Sequence, residues 1–165
     1  MPTQPGGYHT ADGQRVPSVT TIIGRFKDAG ALMYWSWVEG KEGRDYRETR
    51  DKAANAGTMA HEAVERWIHG LPVMFMGDPA ICEKAERAFG AFKEWAGRSQ
   101  LVLTDTEVAM VSEQHRYGGT ADAFTVAGQR AVVDWKTAGA TYPDHLIQIR
   151  AYGEVWNELH PDDAI

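Results

Sequence analysis

The sequence holds a single cysteine, Cys82. One thiol cannot form a disulfide framework, a cysteine-ligated zinc site or an iron–sulfur cluster within the chain. Cys82 lies in a helix-like stretch and reads as a small core residue. Long apolar runs are also missing, none approaching the ~20 residues that cross a bilayer. The N-terminus lacks the charged-then-apolar pattern of a signal peptide, so a cytoplasmic location is the expectation. Positive charge is not in excess: 17 Lys and Arg stand against 23 Asp and Glu, a formal net charge of -6. That excludes a broadly cationic surface. It leaves nucleic acid open, because a local basic track suffices and acids gathered around a metal lower the total. There is no internal repeat and no low-complexity tract. What is present is ordinary globular composition, 43% hydrophobic and 24% charged over 165 residues. That is enough for one domain with a real core and too little for two of ordinary size.

Residues 1–15 carry Pro2, Pro5, Gly6, Gly7 and Gly13 and read as an irregular lead-in. Pro17-Ser18-Val19-Thr20 opens a helix over Ile22, Ile23 and Phe26, with Ser18 or Thr20 as its cap. Leu32, Met33, Trp35, Trp37 and Val38 read as a core helix, with stacking of one tryptophan on a nucleobase as the other reading. From 41 to 52, charges of both signs interleave. Arg44, Arg47 and Arg50 recur every third residue, which predicts one drifting helical stripe. A solvated face held by ion pairs explains it, and phosphate contact is the second reading.

Met59, Ala60, Ala63, Val64, Trp67 and Ile68 form the apolar face of a helix from Ala53 to His69, ended by Gly70-Leu71-Pro72. His61 stands beside that face. His61-Glu62 is no zinc-protease helix, since Glu65 occupies the place of the required second histidine. Ile81 through Trp95 predict a further helix across 80–97, closed by Gly97, with Met74-Phe75-Met76 packed against these helices. Strands follow: Leu101 to Val111 with Glu107 in its middle, Tyr117 to Val126, a tight turn at Ala127-Gly128-Gln129, and Arg130 to Lys136. Pro143 starts a helix to Leu159 with Ile147, Ala151, Val155 and Leu159 as its apolar stripe, and Gln148 and Tyr152 on one face. The order predicts a single α/β domain: a lead-in over 1–15, a mainly helical part over 16–97, and over 101–165 a small mixed sheet with its helix. A further strand is expected after that helix, so the end at Ile165 suggests a truncated C-terminus.

Ala131-Val132-Val133 lead into Asp134-Trp135-Lys136. In a continuing strand Asp134 and Lys136 share one side and Trp135 takes the other. A carboxylate at the end of a buried strand is costly unless it meets a cation or a donor. Asp122 on the neighbouring strand makes a metal site one reading. An ion pair on a hairpin is the other.

The order of features resembles the PD-(D/E)XK nuclease superfamily, in its RecB-type branch. Its four motifs appear as Gly57 to His61, Gly119 to Asp122, Asp134 to Lys136 and Gln148 to Tyr152, spanning roughly residues 57–156. Pro17-Ser18-Val19-Thr20-Thr21-Ile22-Ile23 and Val133-Asp134-Trp135-Lys136-Thr137 are also similar to the mitochondrial genome maintenance exonucleases and their phage and bacterial relatives. The resemblance implies a restriction-endonuclease-like core with helices flanking a small mixed central sheet. It implies a deoxyribonuclease, an exonuclease preferring single-stranded ends, acting in replication, recombination or repair. A bacterial or phage gene is the expected source.

Phosphodiester hydrolysis requires a polarised phosphate, an activated water and stabilised developing charge. Asp122 and Asp134 offer hard oxygen ligands suited to one or two Mg²⁺ or Mn²⁺ ions. The resemblance adds the Trp135 backbone carbonyl and His61 as further ligands, Lys136 as the group that orients water or neutralises charge, and Gln148 and Tyr152 as supports for the DNA or the lysine. Glu107 is a candidate extra acid, and Arg44, Arg47 and Arg50 are candidate phosphate contacts. Iron–sulfur relatives of the branch need four cysteines, which this chain lacks. The acidic motif of the toroidal phage exonucleases is not found either. A catalytically silent DNA-binding domain and an endonuclease are the alternatives.

Overall fold

The computed structural model describes residues 6–100, 102–126 and 130–165. In chain order the elements are β1 (Tyr8–His9), β2 (Arg15–Val16), α1 (Val19–Phe26), α2 (Gly30–Lys41) and α3 (Tyr46–Ile68). Then come α4 (Pro79–Ser99), β3 (Leu103–Ser112), β4 (Tyr117–Val126), β5 (Arg130–Val133), α5 (Pro143–Leu159) and a 3-10 turn over Pro161–Asp163. The chain is mixed α/β and divides into two compact units, Met1–Phe26 with Ala96–Ile165, and Lys27–Trp95.

The first unit is built on a three-stranded sheet in the order β3-β4-β5. Short connections between consecutive strands permit only antiparallel neighbours, and both ladders are antiparallel: Leu103↔Thr125 through Ser112↔Tyr117, and Ala123↔Val133 through Val126↔Arg130. The expected mixed sheet is therefore corrected to an antiparallel one; one isolated parallel bridge, Ser18↔Gly118, lies beside it. The expected turn at Ala127-Gly128-Gln129 lies outside the described residues, as does Leu101. β5 stops at Val133, three residues short of the expected end. The lead-in is less irregular than its Pro and Gly content predicts, since β1 and β2 pair antiparallel within it. Ser18 caps α1 as expected, its Oγ accepting the Thr21 N–H at 3.1 Å.

α5 begins at Pro143 and covers the sheet. Its buried residues are Gln148, Tyr152, Val155 and Trp156, whereas Ile147 and Leu159 of the expected stripe are exposed. Phe124 of β4 and Trp156 meet with ring centroids 4.1 Å apart, in a core with Val19, Met110, Ala121, Tyr152 and Val155. Two polar residues displace aliphatics from the buried face.

The second unit is helical. α2 forms where its apolar residues predict a helix, but it is no core helix: Leu32, Met33, Tyr34 and Trp37 are all more than half exposed. Apolar groups spread around the whole circumference cannot share one buried face. The buried residue of α2 is Glu39, whose carboxylate takes Arg44 Nε at 2.9 Å, Arg44 Nη2 at 2.6 Å and the Thr49 hydroxyl at 2.8 Å. α3 starts earlier than Ala53, because Asp45 caps it by accepting the Arg47 N–H at 2.8 Å. Ala56, Ala60, Ala63 and Val64 are its buried residues. α4 runs past Gly97 to Ser99, and Phe92 meets Trp67 edge-on at 5.7 Å. Phe75 reaches Phe89 at 6.0 Å, but Met74 and Met76 are exposed rather than packed.

Candidate metal centre

Asp122 stands inside the central strand and is 1% exposed. The β4–β5 ladder ends at Ala123↔Val133, one residue from it along β4. There the Trp135 N–H turns from strand pairing and donates to Asp122 Oδ2 at 2.9 Å. A side-chain acceptor thus replaces a backbone one, which is why the strand is shorter than its apolar pattern predicts. Asp134 and Lys136 consequently lie in the segment just after β5.

The Asp134 side chain is 1% exposed, and Lys136 Nζ lies 2.5 Å from its Oδ2. That pair is not aligned as a hydrogen bond, so Oδ2 keeps acceptor capacity. Gln148 Nε2 donates to Asp134 Oδ1 at 3.3 Å and to the Tyr152 hydroxyl oxygen at 2.7 Å. The Tyr152 ring in turn lies against the backbone of Gly119, where an added methyl group would collide with it. Gly119, Tyr152, Gln148, Asp134 and Lys136 therefore form one chain of contacts, and the glycine of one motif makes room for the tyrosine of another.

Glu107 joins from β3. One of its carboxylate oxygens lies within 4.8 Å of one from Asp122. The local backbone is unusual: the β3–β4 register shifts between Thr104 and Thr106, and Asp105 and Glu107 take φ of 46° and 52°. A bulge of this kind re-aims a side chain, and each such residue costs on the order of 1–3 kcal/mol that its surroundings must offset.

Burial pushes the Asp122 carboxyl up to about 8, and the negative charge of Asp134 adds to the rise. The Trp135 N–H and the Lys136 ammonium pull the other way, and Glu107 raises it further. Burial likewise pushes the Tyr152 hydroxyl up, against the hydrogen bond from Gln148. Three acids thus gather beside one lysine in a desolvated place. Such a set favours either a proton or a cation.

The remaining predicted residues belong to the other unit. His61 lies on α3, within Lys27–Trp95. The arginines do not form one helical stripe: Gly43, with φ 74°, separates α2 from α3, and Arg44 falls between them. Arg44 pairs with Glu39 and Glu42, Arg47 lies over the Tyr46 ring at 5.6 Å, and Arg50 meets Asp51 at 2.7 Å. Arg44 and Arg50 are thus ion-paired near solvent, while Arg47 rests on an aromatic ring. Sequence reading missed Thr141 and His145, which line a cleft with Asp134 and Lys136. His145 had a signal, standing one helical turn before Gln148. A scan of protein-family models and a search of curated proteins each find no match to the chain.

Proposed function

We propose that the chain is a metal-dependent deoxyribonuclease of PD-(D/E)XK type. One observation carries this reading: Asp122 is 1% exposed, the Asp134 side chain is 1% exposed, and both Glu107 and Lys136 stand near enough to act on the Asp122 carboxyl. Carboxyl groups held close together in a buried place suit a site that binds a divalent metal. Asp122, Asp134 and Glu107 offer carboxylate oxygens, and the resemblance adds the Trp135 carbonyl to the set. The metal, when bound, polarises the phosphate and lowers the pKa of a water. Lys136 orients that water or neutralises charge at the phosphate. Gln148 and Tyr152 act on the lysine through Asp134, which Gln148 holds by hydrogen bonding.

The substrate is DNA, attacked as an exonuclease from single-stranded ends; that preference rests on the resemblance. The test is end-labelled DNA, single- and double-stranded, linear and circular, incubated with Mg²⁺ or Mn²⁺. Linear single strands are cut, and Asp134→Ala and Lys136→Ala abolish cutting. Wild-type cleavage by either variant overturns the mechanism. Equal cutting of circular single strands makes the protein an endonuclease instead.

A second reading has its own support. The Asp134–Lys136 ion pair also fits a silent DNA-binding domain that retains the cluster for its fold. DNA binding without cleavage of any substrate in either metal decides for it.

A further inference from the structure

Beside Lys136, the segment after β5 and the first turns of α5 enclose a cleft of about 330 Å³. That is at the low end of pockets that take small ligands, about 300–1,000 Å³. Its lining is divided by chemistry. Lys136 supplies a cation, Thr141 a hydroxyl and His145 an imidazole, while Leu146 and Ile149 form an apolar wall. Leu146 is 61% exposed, so this wall continues to the solvent. His145 Nδ1 accepts the Tyr142 N–H at 3.4 Å. The ring hydrogen then sits on Nε2, which becomes the donor available to a ligand. Asp134, with its side chain 1% exposed, also borders the cleft and is paired with Lys136. The matching ligand carries one anionic group joined to a flat, partly apolar body.

We propose that this cleft takes one unpaired nucleotide adjoining the bond to be cut. Its phosphate turns to Lys136, Thr141 and His145, and its base lies along Leu146 and Ile149. The inference rests on the nuclease reading and deepens it by naming a single unpaired nucleotide as the unit recognised. It makes His145 and Leu146 substrate-binding residues with no part in holding metal.

The experiment titrates thymidine 5′-monophosphate calorimetrically into the full chain in saturating Mn²⁺, and Mn²⁺ alone into the same proteins. Wild type binds the nucleotide, His145→Ala binds it about tenfold more weakly, and Leu146→Ala several-fold more weakly. Both variants keep wild-type Mn²⁺ affinity, which also reports an intact fold. Intact Mn²⁺ binding with no nucleotide binding by wild type overturns the cleft assignment alone. Nucleotide affinity equal to wild type in both variants does the same. Failure of the wild type to bind Mn²⁺ overturns the nuclease reading beneath it.

Discussion

Two ion pairs, one in each unit, show how differently the chain uses charge. In the helical unit Arg50 meets Asp51 at 2.7 Å, with side chains 57% and 60% exposed. In the sheet unit Lys136 meets Asp134 at 2.5 Å, with side chains 23% and 1% exposed. Water screens the first, and such pairs contribute about 0–1 kcal/mol. The second has surrendered most of its hydration, a cost that attraction within the pair repays poorly. Asp122, whose carboxyl is held up at about 8, and Glu107 bring two further carboxyl groups close by. An exposed pair needs no further explanation, whereas carboxyl groups crowded in a buried place take up a proton or a cation. The contrast is carried by desolvation rather than by residue type, since both units are rich in Asp, Glu, Lys and Arg.

The sharpest way to break the contrast is to remove the acid of each pair. Asp134→Ala lowers DNA cleavage by more than about 100-fold. It leaves Lys136 without its partner and costs up to about 3 kcal/mol in denaturant unfolding. Asp51→Ala stays within about 0.5 kcal/mol of wild type in the same measurement. Equal stability losses would erase the distinction between the units.

Gly119→Ala comes next. A methyl group there meets the Tyr152 ring, costs about 1–3 kcal/mol and disturbs the Gln148 contact to Asp134, so cleavage falls with stability. An unchanged unfolding midpoint would show that Tyr152 yields freely.

The third prediction concerns pH. The folded protein holds the Asp122 carboxyl up at about 8, against an ordinary value of 3.8. The folded metal-free chain therefore binds this proton more tightly than the unfolded chain. The stability it contributes is full below about pH 4 and is lost as pH rises towards 8, by up to about 1.4 kcal/mol per unit. The thermal midpoint of the metal-free protein falls between pH 5 and 8. Asp122→Asn flattens that slope, and Mn²⁺ reverses it by taking the proton's place. A flat wild-type profile would argue that Asp122 is ionised and satisfied without metal.

The smallest effect is Arg50→Ala, which stays within about 0.5 kcal/mol in stability and within about twofold in cleavage. A large loss of cleavage would turn the solvated face into a phosphate track.

Much of the fold was legible in local chemistry. Pro143 announces α5, and the run from Tyr117 to Val126 is β4 from end to end. Both signals are local, so no tertiary contact could overrule them. Where tertiary contacts decide, the sequence misleads. Val133-Asp134-Trp135-Lys136 reads as one strand, yet the Asp122 carboxylate draws off the Trp135 N–H and ends the ladder. The aromatic run of α2 reads as core, yet its side chains point around the whole helix and Trp37 is 58% exposed. Asp122, Asp134, Lys136, Gln148 and Tyr152 were picked out by the ordered motifs of the resemblance, and they do come together in the sheet unit. Glu107 could be named, but the bulge that aims it could not be read from Thr104-Asp105-Thr106. The contact between Gly119 and Tyr152 joins residues 33 positions apart, a separation at which periodicity carries no information.

The central claim is that the buried acids of the sheet unit form a cation site. Calorimetric titration of Mn²⁺ into wild type and Asp134→Ala at neutral pH tests it most directly. The account predicts saturable binding by wild type and at least about 100-fold weaker binding by the variant. Identical isotherms for the two proteins, or no heat from either, would contradict it.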